Sequence, residues 1–576
     1  MKKKIYLLSF LTLCLSLAAC SLNFDNFDVS SENSSSVSEV DNSVPMTKLV
    51  FEEESVEIIK GQKGTVRVKG YLPRNATNPT WVLSSENESI ATVTEDGVVT
   101  AKAVGKTNIL ATALDTSGLV SKCEVNVIAQ QIDSAFKKRA ATQTYSSINP
   151  GYNLPSKGNQ KVLVLPIYFS DDSAKATEDN RQFIEYGFFG SNEDCLWRSF
   201  TSYMEEASYD QLHYSGYVSN WWNCGYTKQQ ILDDSDATIV RRIVAEALGH
   251  FKDTHSSFDW SGYDNNNDGY VDQISIIYSS DYVVDESGKT TNLWGFRWST
   301  EFEDGKSGKQ PLAFTWFSLK FMKDYRMYGG VPEGGNNTRI IIHEHSHMLG
   351  LSDYYDTSYA GKVDYVGSYD MQSNNVLDWN AFSKFAVGWT EPYYLDETIM
   401  KSQKTATITI GASALTGESI VVKGSSWIGS PFDEYLMIEL LNTRAGNNAY
   451  DGLHSASGLG LGGIRIYHVD ARLRSDGRST KYGNSYRPNN PHLLQLIQRG
   501  NMDTFGDING RDNCTESDLF KTGYTFTIGE HEGFADYGPS FFINSNKFND
   551  GSLMKYGIRF DKVTTNSATI TFTYFD

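Results

Sequence analysis

The sequence has little cysteine, a deficit of positive charge and no long apolar run after its first twenty residues. Six cysteines occur in 576 residues. Four cysteines follow residue 20: Cys123, Cys195, Cys224 and Cys514. Their spacing matches no zinc knuckle, which excludes them as metal ligands. Cys195 and Cys224 could pair outside the cell, but the spacing fixes no connectivity.

The net charge limits which classes of binding partner the protein can have. The 70 acidic residues outnumber the 51 basic ones, for a formal net charge of −19. Such a surface repels the phosphates of a duplex, so no nucleic-acid partner is predicted. It suits instead an extracellular protein that binds calcium.

The N-terminus holds the one long apolar run and predicts export. A basic MKKK precedes IYLLSFLTLCLSL and the small residues of LAAC, which is the pattern of a signal peptide at 1–19. The cysteine after LAA resembles a bacterial lipoprotein signal, so we expect lipid on Cys20, anchorage to the outer face of the cytoplasmic membrane and exposure at the cell surface, with shedding as a second fate. The alternative is an ordinary signal peptide cut nearby, or an uncleaved short anchor. Residues 20–45 are rich in Ser, Asn and Asp and predict a disordered tether.

The stretch that predicts chemistry is HEHSHMLGLSDYYD, which begins at His343. His343 and His347 are four residues apart on a predicted helix, so both imidazoles face one point. Gly350 ends the helix, and Asp353 is then placed as a third ligand, which completes the donor set of a catalytic zinc site. Glu344 lies beside the first ligand, where it can act as general base on a water activated by the metal.

A chance motif on a structural helix is the alternative to a metal site. The apolar lead-in at 340–342, together with Gly350 and Asp353, favours the metal site. His345 points away from the two ligands on the same helix. We interpret it as a residue behind the site or at the surface.

The motif and its surroundings resemble the immune inhibitor A-type (M6-like) family of bacterial secreted zinc metallopeptidases. The resemblance extends over about 159–576. It is carried by VLVLPIYFSD (162–171), the stretch from Ser199 to Trp222, DNNNDGYVDQISIIY (264–278), LWGFRWS (293–299), WNAFSKFAVGWTEP (379–392), FDEYLMIELLN (432–442) and GGIRIYHVD (462–470).

The resemblance also assigns a role to Met371, in VGSYDMQS, as the methionine of a turn beneath the metal. Two positions depart from the family pattern. Ser346 stands where the family usually has glycine, and Asp378 occupies a position at which members often differ. Neither departure removes a residue that the chemistry needs.

Length and patterning predict several domains. Residues 46–129 alternate like a small β-sandwich and resemble a group 2 bacterial immunoglobulin-like domain with Trp81 in its core, serving either as a spacer or for contact with cell wall or host surface. Residues 130–158 predict a linker. Residues 159–395 mix strands and helices and predict an α+β, zincin-like catalytic domain. Residues 396–576 predict a β-sandwich or jelly-roll-like domain.

A second motif, DNNNDGYVD, predicts a structural calcium site because hard oxygen donors lie close together. The candidate ligands are Asp264, Asn266, Asp268, Tyr270 through its carbonyl, and Asp272. Ser275 stands where an EF-hand has its bidentate glutamate, and the following SIIY resembles a strand, so the loop is no EF-hand. The alternative is a metal-free turn.

These features predict a surface-anchored zinc metalloendopeptidase that hydrolyses extracellular proteins or peptides. A tyrosine could help to stabilise the oxyanion, with Tyr354, Tyr355 and Tyr369 as candidates. The alternative is a surface adhesin that uses its β-rich domains and keeps the peptidase domain as a scaffold. A metal-dependent hydrolase of a non-peptide bond is a third hypothesis.

Overall fold

The computed structural model describes residues 43–150, 153–265, 268–285, 290–299, 310, 311, 313–357, 363–424, 427–485, 491–507, 510 and 513–576. The predicted signal peptide, Cys20 and the predicted tether up to residue 42 lie outside the described residues. Among the described residues, none of the helices combines the length and the apolar character that a bilayer crossing requires.

Residues 46–129 form a small β-sandwich around an aliphatic core. The strands are β1 (Lys48–Phe51), β2 (Ser55–Ile59), β3 (Lys63–Thr65), β4 (Val68–Leu72), β5 (Trp81–Ser85), β6 (Ala91–Val93), β7 (Val98–Ala101), β8 (Gly105–Ala113) and β9 (Val120–Ile128). The main sheet has the order β2-β9-β8-β5, with β2 and β9 parallel, and the smaller sheet has the order β3-β7-β6. Ile58, Ile109 and Val125 fill the core, whereas Trp81 is only partly buried at its margin.

The predicted linker, residues 130–158, is part of the packed structure. Its strand β10 (Phe136–Lys138) pairs antiparallel with Tyr393–Leu395 and thereby joins a sheet of the C-terminal region. The short helix α1 (Tyr145–Ile148) follows, and the amide of Leu154 donates to the carbonyl of Met348 at 2.7 Å. This segment adds a strand to a sheet and contacts the helix that carries the predicted metal ligands. It is therefore not a free linker.

The catalytic region, which is the predicted catalytic domain at 159–395, alternates strands with helices. Its strands are β11 (Gly158–Tyr168), β12 (Leu212–Val218), β13 (Trp222–Asn223), β14 (Tyr270–Val271), β15 (Ile274–Tyr278), β16 (Phe296–Ser299), β17 (Gln310–Pro311) and β18 (Ala313–Ser318). Its helices are α2 (Glu178–Phe189), α3 (Asn192–Cys195), α4 (Phe200–Ala207), α5 (Lys228–Leu232), α6 (Thr238–Thr254), α7 (Leu319–Lys323), α8 (Arg339–Met348), α9 (Met371–Asn374) and α10 (Ala381–Ala386), with a 3-10 turn at Met327–Gly329.

The catalytic sheet has the order β12-β11-β15-β18-β16. Its first four strands are parallel, and only the edge strand β16 is antiparallel. Helix α6 packs on one face, while α2, α4 and α8 pack on the other. The α+β prediction therefore needs correction, because parallel strands linked by helices on both faces make a layered α/β arrangement.

The C-terminal region is a two-layer sandwich. Its strands are β19 (Tyr393–Leu395), β20 (Thr405–Gly411), β21 (Ile420–Val422), β22 (Glu434–Asn442), β23 (Gly462–Asp470), β24 (Leu494–Leu496), β25 (Thr525–Phe526), β26 (Tyr556–Val563) and β27 (Ser567–Tyr574). Its helices are α11 (Glu397–Gln403), α12 (Ser413–Thr416), α13 (Asn448–Asp451) and α14 (Gly538–Phe541), with 3-10 turns at Ser457–Leu459 and Glu516–Asp518.

Six strands form a middle sheet in the order β10-β19-β21-β22-β23-β24, and four form an outer sheet in the order β20-β27-β26-β25. All nine residues of β22 are buried. Tyr435 and Met437 face the catalytic core, whereas Leu436 and Ile438 face the outer sheet. The sandwich is as predicted, but six and four strands do not give the paired four-stranded sheets of a jelly roll.

The immunoglobulin-like sandwich is held to the C-terminal region by polar contacts. Arg444 donates to both carboxylate oxygens of Glu52, at 3.0 and 2.9 Å. Asn566, which is 1% exposed, accepts from the amide of Thr65 at 2.9 Å and from the side chain of Asn442 at 3.0 Å. Buried amide groups whose hydrogen bonds are satisfied restrict the orientation of the parts they join. The immunoglobulin-like sandwich is therefore held in one orientation on the C-terminal region.

A buried ion pair joins helix α8 to the C-terminal region. Arg339, in the first turn of α8, donates to Asp451 at 2.9 and 2.5 Å, and the two side chains are 0% and 1% exposed. The same guanidinium donates to the carbonyls of Asn375 and Gly330, each at 2.9 Å, and lies over the ring of Trp197. These four hydrogen bonds use both terminal nitrogens and offset much of the loss of water, while Nε is buried without a hydrogen-bond partner among the described residues.

We expect Arg339→Met to lower the free energy of unfolding by about 3–5 kcal/mol, because Asp451 is then left charged and buried. Urea unfolding measures the change. As a matched control, Lys106→Met removes an ion pair between exposed side chains and should cost less than about 1 kcal/mol. Equal effects of the two substitutions would contradict the role given to Arg339.

Candidate metal centre

Helix α8 presents two imidazoles to one point. The Nε2 atoms of His343 and His347 are 3.2 Å apart. Nδ1 of His343 donates to the carbonyl of Met371 at 2.9 Å, and Nδ1 of His347 donates to the carbonyl of Leu351 at 2.7 Å. With the hydrogen held on Nδ1, each Nε2 keeps a free lone pair, which is the form that binds a metal ion.

Asp353 completes the cluster. Its Oδ1 lies 3.0 Å from Nε2 of His343 and 3.4 Å from Nε2 of His347, and the three candidate ligand atoms lie within 4.8 Å of one another. Gly350 makes this return possible: its φ is +98°, and a Cβ there would lie 2.5 Å from the Cβ of Tyr145. Two imidazole nitrogens and a carboxylate oxygen fit a zinc ion and leave a position for water.

Glu344 lies beside the cluster in a cavity of ≈ 600 Å³. Its side chain is 7% exposed, and burial raises the pKa of Glu344, partly offset by the charges of His343 and His347. A backbone hydrogen bond from Arg297, on the edge strand β16, also reaches this carboxylate. A carboxylate with a raised pKa, next to the metal ligands and open to a cavity, is suited to accept and release a proton.

His345 is not at the surface. It is 0% exposed, and its Nε2 lies 2.7 Å from the hydroxyl of Ser275 on β15, while its Nδ1 lies 3.2 Å from Oε1 of Gln273. Burial lowers the pKa of His345 to about 3, so the ring is neutral. Its contacts fasten α8 to the catalytic sheet, which corrects the surface alternative and supports the position behind the ligands.

Met371 lies at the start of α9 and is fully buried. Its carbonyl accepts the hydrogen bond from His343 described above. Asp370 caps the short helix by accepting from the amide of Gln372 at 2.8 Å and binds the side chain of Asn380 at 2.7 Å. The turn after the metal helix therefore orients one of the imidazoles through its backbone.

The structure separates the three candidate tyrosines. Tyr354 is buried with its hydroxyl 2.6 Å from Ser383, and Tyr369 donates to the carbonyl of Ser455 at 3.3 Å. Tyr355 lines the cavity and stacks on His343 with ring centroids 6.4 Å apart. Burial raises the pKa of Tyr355, so its hydroxyl remains a hydrogen-bond donor. Only Tyr355 of these three is next to the metal cluster.

Tyr328 is a cavity residue that the sequence argument missed. It lines the same cavity, and burial followed by the charge of Glu344 raises its pKa. Its φ of 50° is left-handed, which is uncommon for an aromatic residue and occurs most often at functional positions. The glycine pair of MYGG, directly after Tyr328, is the sequence signal that could have marked this turn.

The acidic loop after residue 263 is bent back on itself. Asp264 accepts from the amides of Asp268 and Gly269 at 3.1 and 3.2 Å, and Asp272 accepts from the amide of Asn265 at 2.9 Å. Asn266, one of the predicted calcium ligands, lies outside the described residues. Burial raises the pKa of Asp272, and the charges of Asp264 and Asp268 add to this effect. The side chain of Tyr270 is exposed, as expected if only its carbonyl could serve a cation.

Other candidates have structural roles or stay unassigned. His468 lies 2.9 Å from the buried Glu434, and this contact gives it a structural role. Cys195 and Cys224 are both buried free thiols, so the open possibility of their pairing is not realised. Cys20, the predicted lipidation site, lies outside the described residues.

Comparison with known proteins agrees with the sequence resemblance. The pre-pro-metalloprotease PrtV of Vibrio cholerae serotype O1 is 24% identical over 277 residues, which cover 41% of this chain and 28% of PrtV. Immune inhibitor A of Bacillus thuringiensis subsp. alesti is 25% identical over 252 residues, which cover 37% of this chain and 36% of that protein. The chain thus matches about a third of the length of these relatives.

Two family models match separate parts of the chain. Residues 44–123 match the bacterial Ig-like domain (group 2), and residues 156–381 match the catalytic domain of immune inhibitor A peptidase M6. The metal cluster and Glu344 both lie inside the second match. The chain therefore contains a segment similar to the catalytic domain of immune inhibitor A peptidase M6 and, in front of it, a segment similar to a group 2 bacterial immunoglobulin-like domain.

Proposed function

We propose that this chain is a zinc metalloendopeptidase that hydrolyses peptide bonds of extracellular proteins. The observation that carries the proposal is the convergence of His343, His347 and Asp353 beside a cavity that also contains Glu344. When bound, zinc supplies a Lewis acid that makes water a stronger acid and polarises a carbonyl. The parallel sheet with its antiparallel edge strand β16 next to the metal helix supports a zincin-like architecture.

In this proposal Glu344 does the proton chemistry. Its carboxylate takes a proton from the attacking water and then delivers it to the leaving amine. Of the three tyrosines predicted from the sequence, Tyr355 is the one best placed to donate to the developing oxyanion, since it lines the cavity and stacks on His343. The backbone of Met371 holds His343 in the required tautomer.

We propose that the protein is tethered to the outer face of the cytoplasmic membrane by lipid on Cys20 and that the immunoglobulin-like domain is a spacer. Polar contacts through Arg444 and Asn566 fix this domain on the C-terminal region. A fixed position favours a spacer over a separate binding arm. We also propose structural calcium in the loop of Asp264, Asp268 and Asp272. The acidic run of this loop supports it, because the charges of Asp264 and Asp268 add to the effect of burial on the pKa of Asp272.

Glu344→Ala should lower kcat/KM on casein by about 10²- to 10⁴-fold while the protein keeps its zinc, because the general base is lost but no ligand is. Activity assays and metal analysis of the same sample measure both quantities. Glu391→Ala, which changes an exposed glutamate outside the cavity, is the matched control and should be fully active. Cleavage by Glu344→Ala at the wild-type rate would exclude this mechanism.

A zinc chelator and a calcium chelator should act differently on the protein. We expect 1,10-phenanthroline to abolish casein cleavage and added zinc to restore it. EGTA should instead lower the melting temperature, by about 2–4 °C for each kcal/mol of calcium binding lost. Asp268→Ala should remove the EGTA effect without removing cleavage. Cleavage that resists phenanthroline would disprove the zinc proposal, and a melting temperature unaffected by EGTA would disprove the calcium proposal.

Cys20→Ser should release the protein into the medium, because a lipid chain can no longer be attached. Cell fractionation measures this for the variant and for Cys123→Ser, a control outside the signal region. The released variant should not return to washed cells if the immunoglobulin-like domain is a spacer. Rebinding of the released variant would favour the adhesin alternative, and retention of Cys20→Ser in the membrane would exclude anchorage through this cysteine.

A further inference from the structure

The cavity beside Glu344 has a polar wall formed by residues 364–375, which follow the candidate ligand Asp353, and by Asn513. The residues of this wall are Asp364, Ser368, Ser373, Asn374, Asn375 and Asn513. The same cavity includes His343 and Glu344, so a substrate whose peptide bond lies at Glu344 can extend a neighbouring side chain to this wall. A volume of ≈ 600 Å³ is within the usual range of about 300–1,000 Å³ for ligand sites and leaves room for a long side chain.

Asp364 is the charged group of the wall. It is 6% exposed, and its carboxylate accepts from the hydroxyls of Ser373 and Ser368 and from the amide of Val366 at 3.1 Å. Burial raises the pKa of Asp364 to about 6, and these neutral donors only partly offset the effect. The described residues lining the cavity include no lysine or arginine. An ionised carboxylate in such surroundings gains free energy when a cation enters.

Asn375 is a rigid part of the same wall. Its side chain is 4% exposed, and its Oδ1 is buried with no hydrogen-bond partner among the described residues. The residue is left-handed, with φ of 55°, and its carbonyl is held by Arg339 at 2.9 Å, so its position is fixed.

We propose that this wall is a specificity pocket for a basic side chain, lysine or arginine, on the substrate residue next to the scissile bond. Asp364 supplies the counter-charge, and the polar side chains of the wall around it supply further acceptors for the N–H groups. Both basic side chains carry several donors and no acceptor, which complements a wall of carboxylate, amide and hydroxyl oxygens. The inference rests on the proposed peptidase function and names its substrate class.

The test compares peptides that differ only in the charge of one side chain. Quenched fluorescent peptides carry arginine, lysine or the neutral isostere citrulline at each position flanking the cleaved bond, which mass spectrometry locates. The wild-type protein should show an arginine-to-citrulline ratio of kcat/KM of at least about 10. Asp364→Asn should lower this ratio by about 10- to 100-fold. Asp503→Asn, which neutralises another acid of raised pKa away from this cavity, should keep the wild-type ratio.

The wild-type ratio tests the proposal even if Asp364→Asn fails to fold. A wild-type ratio near one at every position, or an unchanged ratio in a folded Asp364→Asn, would overturn it, while casein cleavage would leave the peptidase function standing. If the protein cleaves nothing, calorimetry with the inactive Glu344→Ala protein still tests the pocket. Tighter binding of the arginine peptide than of the citrulline peptide supports it, and equal binding overturns it.

Discussion

A single guanidinium, that of Arg339, connects the parts from which the site is built. It lies one turn before His343, so the metal helix starts from a residue whose charge is compensated by Asp451 of the C-terminal region. Its other donors hold the carbonyl of Gly330, which follows the Tyr328 turn, and the carbonyl of Asn375 in the cavity wall. The charge is fully buried, so its desolvation costs free energy. These contacts offset that cost only when all of them are present.

The fold was predictable where local pattern and tertiary role coincide. Alternating apolar residues indicated the strands of the immunoglobulin-like domain, whose Ile58, Ile109 and Val125 point into its core. The strand at Phe136–Lys138 was not predictable, because three residues carry no periodicity and its partner lies about 250 residues later in the chain. Parallel pairing was missed for the same reason, since the direction of a strand is a long-range property.

The site was predictable to the extent that one helix and its return loop encode it. The spacing of His343 and His347 fixes their common face, and Gly350 allows the return that brings Asp353 to them. His345 shows the limit: its partner Ser275 comes from a strand 70 residues earlier, and nothing near the motif reveals it. Tyr328 and the wall around Asp364 reach the cavity through turns, whose geometry depends on the contacts of Arg339 rather than on local propensity.

The middle sheet also determines how much of the chain must stay together. It takes one strand from before the catalytic region and the rest from after it, and Tyr435 and Met437 of β22 complete the catalytic core. The stretch recognised by family comparison, 156–381, contains neither that strand nor Asp451. A polypeptide cut at those limits would expose an apolar surface and a buried arginine without its counter-ion. The segment that similarity delineates is thus smaller than the packed unit to which it belongs, and that segment could be inherited or transplanted intact only with its flanking sheet.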